Sequence, residues 1–381
     1  MLAAITAAPL ALAAPAAHAN EPTAVEQVGA DIQTGAAVGE EKDKDAATKK
    51  KLNILVVPLP VVDPALGDGL TLVGALFYSP VAGGRQWVSG LGGLYTKNKD
   101  WALGVAQQAD LMNGRLRLTG FGGYGDFKLK FFGIGQDAGA AGRSITLDEK
   151  GTAVLANVLY EVHGPIYLGL RYRFMQINSS IASPLRPDNP ILPNPPELKS
   201  TAAGLGPSLE IDTRNSEFMP NKGLLVQGQW LVSGSGVGSD FSYNKLNLAG
   251  NLYHPLGRNT VLALRASLCD ASHGAPFYDL CFFGSQHDLR GYEGGQYRDH
   301  AMIAAQAELR QHLFWRIGAV AFAGVGTVAH DFGSLGGAKP LPAGGLGLRF
   351  QPVKKIPVNI SIDYAWGEHS SGLYLYVGEA F

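Results

Sequence analysis

The stretch HDLRGYEGGQYRD, residues 287–299, sets an arginine and a tyrosine among glycines, with Cys269 and Cys281 just upstream and no helical or strand periodicity. The chemistry it offers is electrostatic. A guanidinium taken out of water needs a carboxylate, because an unpaired buried charge is costly, and its planar fork suits two-pronged pairing. Gly291, Gly294 and Gly295 would permit the tight backbone that such burial demands. The competing assignment is a surface loop whose Arg290 is simply solvated. Cys269 and Cys281 are the two cysteines of the chain. In an exported protein a pair favours a disulfide, here one that staples the base of the loop. A zinc site joining them to His273 and His287 is the alternative, weakened because no Cys-x-Cys-type spacing is present.

Catalytic constellations are not found. GFGGYG, residues 120–125, matches G-x-G-x-x-G, but no strand–helix unit with a downstream acid follows it. A G-x-S-x-G elbow and an H-E-x-x-H helix are both missing. The chain is therefore expected to be non-enzymatic and to need no cofactor. A formal net charge of -1 suggests neither nucleic acid nor a strongly acidic partner.

The elements that must position Arg290 are strands. Leu224, Val226, Gly228, Trp230 and Val232 fall on one face of 223–235, opposite Leu225, Gln227, Gln229, Leu231 and Ser233. Along 302–313, Ala304, Gln306, Glu308 and Arg310 alternate with Ile303, Ala305, Ala307 and Leu309. An apolar face backed by a face of Gln, Glu, Arg and Gly is what a barrel wall between lipid and a wet lumen requires. A β-sandwich gives the same alternation. Past the first residues no apolar run reaches about 18, so a transmembrane helix is not expected. Sixteen segments read as strands: 52–60, 69–78, 85–96, 100–112, 114–131, 150–163, 165–181, 200–213, 222–235, 239–255, 257–270, 300–313, 314–330, 341–351, 356–367 and 371–381. An even number fits a closed single-chain barrel.

Connections sort by length. Tight ones, at 113–114, 163–165, 255–259 and 312–315, alternate with long ones at 135–149, 178–200 and 271–299. Short turns at one end and long loops at the other is the outer-membrane arrangement, with both termini facing the periplasm. Trp87, Tyr95, Trp101, Trp315, Trp366, Tyr374 and Tyr376 are candidates for interfacial girdles. The opening residues 1–19 are small and apolar and end in Ala17-His18-Ala19, as a signal peptide does, although no basic residue precedes the apolar core. Residues 20–51 read as a disordered, charged periplasmic leader. The barrel is assigned to 52–381.

At GLGPSLEIDTRNSEFMPNKG, residues 204–223, the chain resembles the bacterial surface antigen family of outer-membrane barrels, the superfamily of BamA and TamA. The shared features are Asp212-Thr213-Arg214 followed by Phe218, Pro220 and Gly223. Leu289-Arg290-Gly291-Tyr292 is similar to the family's motif on the sixth outer loop, and 271–299 is the sixth outer loop by strand count. The last segment, GLYLYVGEAF, with Tyr374, Tyr376 and Phe381, is similar to the C-terminal signal of such barrels.

The resemblance covers about residues 52–381 and implies that the sixth loop folds into the lumen, its arginine paired with acids on the inner wall. Glu308, on the polar face of the following strand, is the expected partner of Arg290. A second acid is expected to be missing, because the family's Phe-x-Asp-x-Gly is here Phe322-Ala323-Gly324-Val325-Gly326. POTRA domains precede the barrels of BamA and TamA, and residues 20–51 are too short for one, so a POTRA-less member is expected. In relatives the barrel closes between first and last strands and opens there. Pro58 and Pro60, which lack the N–H of a ladder bond, weaken the first strand or mark its end.

The expected fold is thus an all-β, closed antiparallel transmembrane barrel of about sixteen strands, placed in the bacterial outer membrane. The expected activity is insertion or translocation of protein or lipid through a loop-gated lumen or a lateral seam. The partners would be outer-membrane lipid and unfolded outer-membrane or secreted proteins. A passive pore, or a membrane anchor for a separately encoded periplasmic partner, are the rival functions.

Overall fold

The computed structural model describes residues 53–63, 66–78, 87–182, 198–216, 219–284, 287–352 and 359–381. The expected signal peptide (1–19), the charged leader (20–51) and Phe218 lie outside these.

Sixteen antiparallel strands close into one barrel, which decides between the barrel and the sandwich that alternation alone left open. They are β1 (Asn53–Asp63), β2 (Gly67–Tyr78), β3 (Trp87–Thr96), β4 (Trp101–Leu111), β5 (Leu116–Phe131), β6 (Ile145–His163), β7 (Ile166–Ala182), β8 (Leu198–Asp212), β9 (Gly223–Ser233), β10 (Tyr243–Pro255) and β11 (Thr260–Ala271). After a loop come β14 (Ala301–Phe314), β15 (Ile317–Ala329), β16 (Leu341–Phe350), β17 (Ile360–Gly367) and β18 (Ser370–Val377). That loop carries a separate two-stranded hairpin, β12 (Cys281–Phe283) with β13 (Tyr297–Asp299), which takes no part in the wall.

Period two sets the two faces. On β14, Ile303 and Leu309 are exposed, whereas Gln306, Glu308 and Arg310 are buried. On β9, Trp230 and Val232 point out while Leu225, Gln227, Leu231 and Ser233 point in. Apolar side chains exposed outward around a polar, filled interior are what a wall in lipid presents. Among the described residues no helix is long and apolar enough to cross a membrane.

Several boundaries differ from the sequence reading. Residues 145–149 are strand rather than loop: β5 and β6 run in register out to Phe131↔Ile145, and the loop shrinks to one short helix, α1 (Gln136–Ala141). Ile145, Thr146 and Leu147 pair with the long end of β5, and that pairing decides their state. The final strand stops at Val377; Gly378, at φ 96°, turns the chain so that Phe381 joins a buried interior cluster. Tyr374 and Tyr376 are not girdle residues, for both point into the lumen. Tyr95, Trp315 and Trp366 are exposed as a girdle needs.

Candidate functional site: a loop clasped inside the barrel

The segment between β11 and β14 is tied at its neck. Cys269, at the inner face of β11, is bonded to Cys281 on β12, with their Cα atoms 5.7 Å apart. The zinc alternative with these sulfurs therefore does not form. His287 is turned away and half-buried, its Nδ1 2.6 Å from the Ala380 carbonyl.

From that neck the chain returns into the lumen and buries Arg290 completely. Its Nη2 lies 2.5 Å from Glu308 Oε2 on β14, and its Nη1 contacts Asp363 on β17. The Cζ of the guanidinium lies over the Phe322 ring of β15, 3.6 Å from the centroid, a cation–π contact that a desolvated cation favours. The second acid is thus present, contrary to the sequence reading. It comes from β17 rather than β15, where Phe322 serves instead as the platform. The signal was available: 360–367 alternates, and Asp363 falls on its inner face with Ser361 and Ala365.

Two further arginines complete the cluster. Arg310 Nε lies 2.7 Å from Glu308 Oε1 and its Nη2 donates to the Phe381 backbone oxygen at 2.7 Å. Arg349, on β16, contacts Asp363 and meets Glu379 at 2.8 Å through Nε. The Tyr376 hydroxyl donates to Asp363 at 2.5 Å. Arg290, Arg310 and Arg349 therefore face Glu308, Asp363 and Glu379, three cationic side chains against three anionic ones. A buried network is tolerable on that condition, with each carboxylate shared between cations.

The backbone around Arg290 is equally specific. Gly291 holds φ 117° and its N–H donates to the Tyr374 hydroxyl at 3.0 Å. A Cβ there would lie 2.7 Å from the Trp366 carbonyl carbon, so no other residue fits without moving β17. Tyr292 packs over Gly367, donates to the Pro342 carbonyl at 2.6 Å, and accepts from the Glu368 N–H at 3.0 Å.

Sequence reasoning missed two more ties, both with reversed polarity. Asp288 accepts from Arg265 of β11, at 3.1 Å from Nε and 3.0 Å from Nη2. Asp279 contacts Arg173 of β7 and meets Lys245 Nζ of β10 at 2.8 Å. Tyr243 donates to the same carboxylate at 2.5 Å. Burial pushes the Asp279 pKa up, but Arg173 and Lys245 outweigh it and hold the carboxyl at about 2. The loop thus offers acids to the β7–β11 wall and a base to the β14–β17 wall. Each of these wall residues sits on the inner phase of an alternating strand, which is the signal that would have found them.

Away from the loop, Asp212-Thr213-Arg214 builds the β8–β9 turn. Asp212 takes two prongs from Arg214, at 3.0 Å from Nε and 2.8 Å from Nη2. Thr213 Oγ1 accepts from the Leu224 N–H at 2.9 Å. Gly223 supplies a φ of 114° and Pro220 is buried in the same turn. These residues do not approach Arg290; they set the geometry at the tight-turn end.

The closing seam is sparse. β1 runs in register with β2 over eleven pairs, Asn53↔Phe77 to Asp63↔Gly67. Against β18 it is matched at Val62↔Leu375 alone among the described residues. Pro58 and Pro60 lie inside β1, both exposed, rather than at its end. Neither can donate a ladder bond.

A transmembrane β-barrel with its lumen occupied by its own disulfide-stapled, ion-paired loop is the class of protein that this geometry defines. Residues 95–381 match the family model of the Omp85 superfamily domain, more than half of the chain, and the chain belongs to the Omp85 superfamily of bacterial outer-membrane barrels. Among solved structures it is similar to BamA from Haemophilus ducreyi lacking POTRA domains 1-3, at 14% identity and TM-score 0.61, covering 86% of this chain and 70% of that one. CdiB from Acinetobacter baumannii follows at 12% and 0.55, covering 86% and 60%, so this chain spans less than two thirds of that protein. CdiB from Escherichia coli stands at 10% and 0.55, covering 90% and 70%. At such identities the likeness is one of fold. No curated protein matches the chain by sequence.

Proposed function

We propose that this protein aids insertion or translocation of polypeptide, or of lipid, at the outer membrane by parting β1 from β18 while the Arg290 loop keeps the lumen closed. The single observation that carries this reading is the seam: one register pair to β18 against eleven to β2, with two prolines in β1. A backbone hydrogen bond contributes about 1 kcal/mol net, so a junction this sparse yields before any other in the wall. The clasped loop supports a gated barrel over a passive pore. The long loops face outward and the tight turns face the periplasm in this reading.

The test is to replace Val62 and Leu375, which face each other, with cysteines and oxidise them in the membrane. The measured quantity is insertion of an unfolded outer-membrane protein into vesicles carrying the barrel, compared with each single-cysteine variant under the same oxidant. The proposal expects the bridged seam to abolish insertion and the single variants to retain it. Undiminished insertion by the bridged protein would remove lateral opening from the mechanism.

A further inference from the structure

Three histidines from separate segments meet at the long-loop end of the barrel, apart from the Arg290 clasp. His273 follows β11 at the entry of the lumen loop, His300 lies between β13 and β14 at its exit, and His330 follows β15. One ring nitrogen from each lies within 4.8 Å of the others. The ring centroids are 4.8 Å apart for His273–His300, 4.7 Å for His273–His330 and 5.5 Å for His300–His330.

The barrel register brings them together. Asp270↔Ala301 and Ala301↔Ala329 are directly opposed pairs, so residue 300 is flanked by the ends of β11 and β15. The chain on both sides of His300 is anchored: the Ala271 N–H donates to the His300 carbonyl at 2.7 Å, and the His300 N–H donates to Asp299 at 2.8 Å. His300 Nδ1 sits 2.9 Å from the Ala271 carbonyl. A carbonyl only accepts, so Nδ1 carries the proton and Nε2 presents its lone pair. A metal-binding imidazole is held in this way, by a backbone carbonyl on its other nitrogen. His273 and His330 are exposed and His300 is partly buried, so two rings can swing toward a fixed third.

We propose that His273, His300 and His330 form a binding site for a late first-row divalent metal, with zinc as the occupant that three neutral imidazoles and one solvent position suit. Zinc–nitrogen bonds of about 2.0–2.1 Å place tetrahedral ligands roughly 3.4 Å apart, so rotation of the two exposed rings closes the remaining gap. Imidazole sets also accept nickel and copper. The adjacent carboxylates are engaged elsewhere: Asp299 accepts the His300 N–H, and Asp331 accepts from Ser334 N and Oγ at 2.9 and 3.0 Å. The ion would tie the entry and the exit of the lumen loop to the end of β15, outside the disulfide.

The test is Zn2+ alone, titrated by calorimetry into the full chain purified in detergent through a tag without histidines, with cobalt absorption as a second reading of ligand geometry. The expected result is one ion per chain, with affinity reduced about tenfold or more in each of H273A, H300A and H330A. H254A, on β10, would bind as the parent does. Heat-modifiable migration on gels verifies that each variant is folded. Failure of the folded parent to bind Zn2+, or a folded H273A/H300A/H330A triple variant that binds unchanged, overturns the assignment.

Discussion

The wall made by β14–β18 and the wall made by β1–β5 belong to one barrel but are held by different physics. Inside β14–β17, three arginines and three carboxylates lock the loop at fixed angles and distances. Inside β1–β5, Leu59, Val73, Leu94, Ala102 and Phe121 form part of a buried apolar cluster. Apolar contact is non-directional and survives small sliding, whereas a paired guanidinium loses its partners when displaced. The rigid, specific wall therefore carries the plug. The two walls meet at the seam, where β1 is matched to β18 at a single pair among the described residues. The barrel concentrates its ion pairs around the loop and has its sparsest strand pairing between β1 and β18.

That contrast can be broken from the rigid side first. Replacing Arg290 by alanine leaves Glu308 and Asp363 buried with one cation fewer. Removing one partner of a buried pair costs about 3–5 kcal/mol. R290A should release the loop, measured as new protease cleavage within 287–299 in folded barrels, while R290K, lacking the fork, should show partial release. The disulfide comes next: C269S/C281S should lower resistance of the loop to denaturant by about 2–4 kcal/mol, followed by the unfolding midpoint of Tyr292 and Tyr297 fluorescence.

From the yielding side, P58V/P60V restores two N–H groups to β1. It should strengthen the seam by about 1 kcal/mol per new bond, seen as slower amide exchange across β18. The smallest effect is acid release of Asp279. Its carboxyl is held at about 2, against about 3.9 unfolded, so the stabilisation is nearly complete above about pH 4.5 and is lost as pH falls through about 2. Loop protection should accordingly be flat from pH 7 to about 4.5, and D279N should remove the fall below that.

Much of the fold was legible because alternation is strict where lipid faces one side of a strand and a wet lumen the other. Strand ends were less so. At Ile145–Glu149 the deciding factor was pairing with a distant β5, and at Gly378 a turn that alternation does not encode. Within the site, Arg290 and Glu308 stood out by residue type, and the structure brings them together. Asp363 was missed because the second acid was sought at the family's position on β15, which here is Gly324. Asp279 and Asp288 were overlooked because a loop without periodicity says nothing of which wall it touches. His300 was absent from the metal set considered, since only folding places it beside His273 and His330.

One barrel thus joins a loop held by buried ion pairs to a seam with a single matched pair among the described residues. Amide hydrogen exchange of the protein in lipid reads both at once. Residues 53–63 and 370–377 should exchange at least about tenfold faster than 287–299 and β14, corresponding to about 1.4 kcal/mol less protection. A loop that exchanges at the rate of free peptide, beside a seam as protected as β14, would contradict the account.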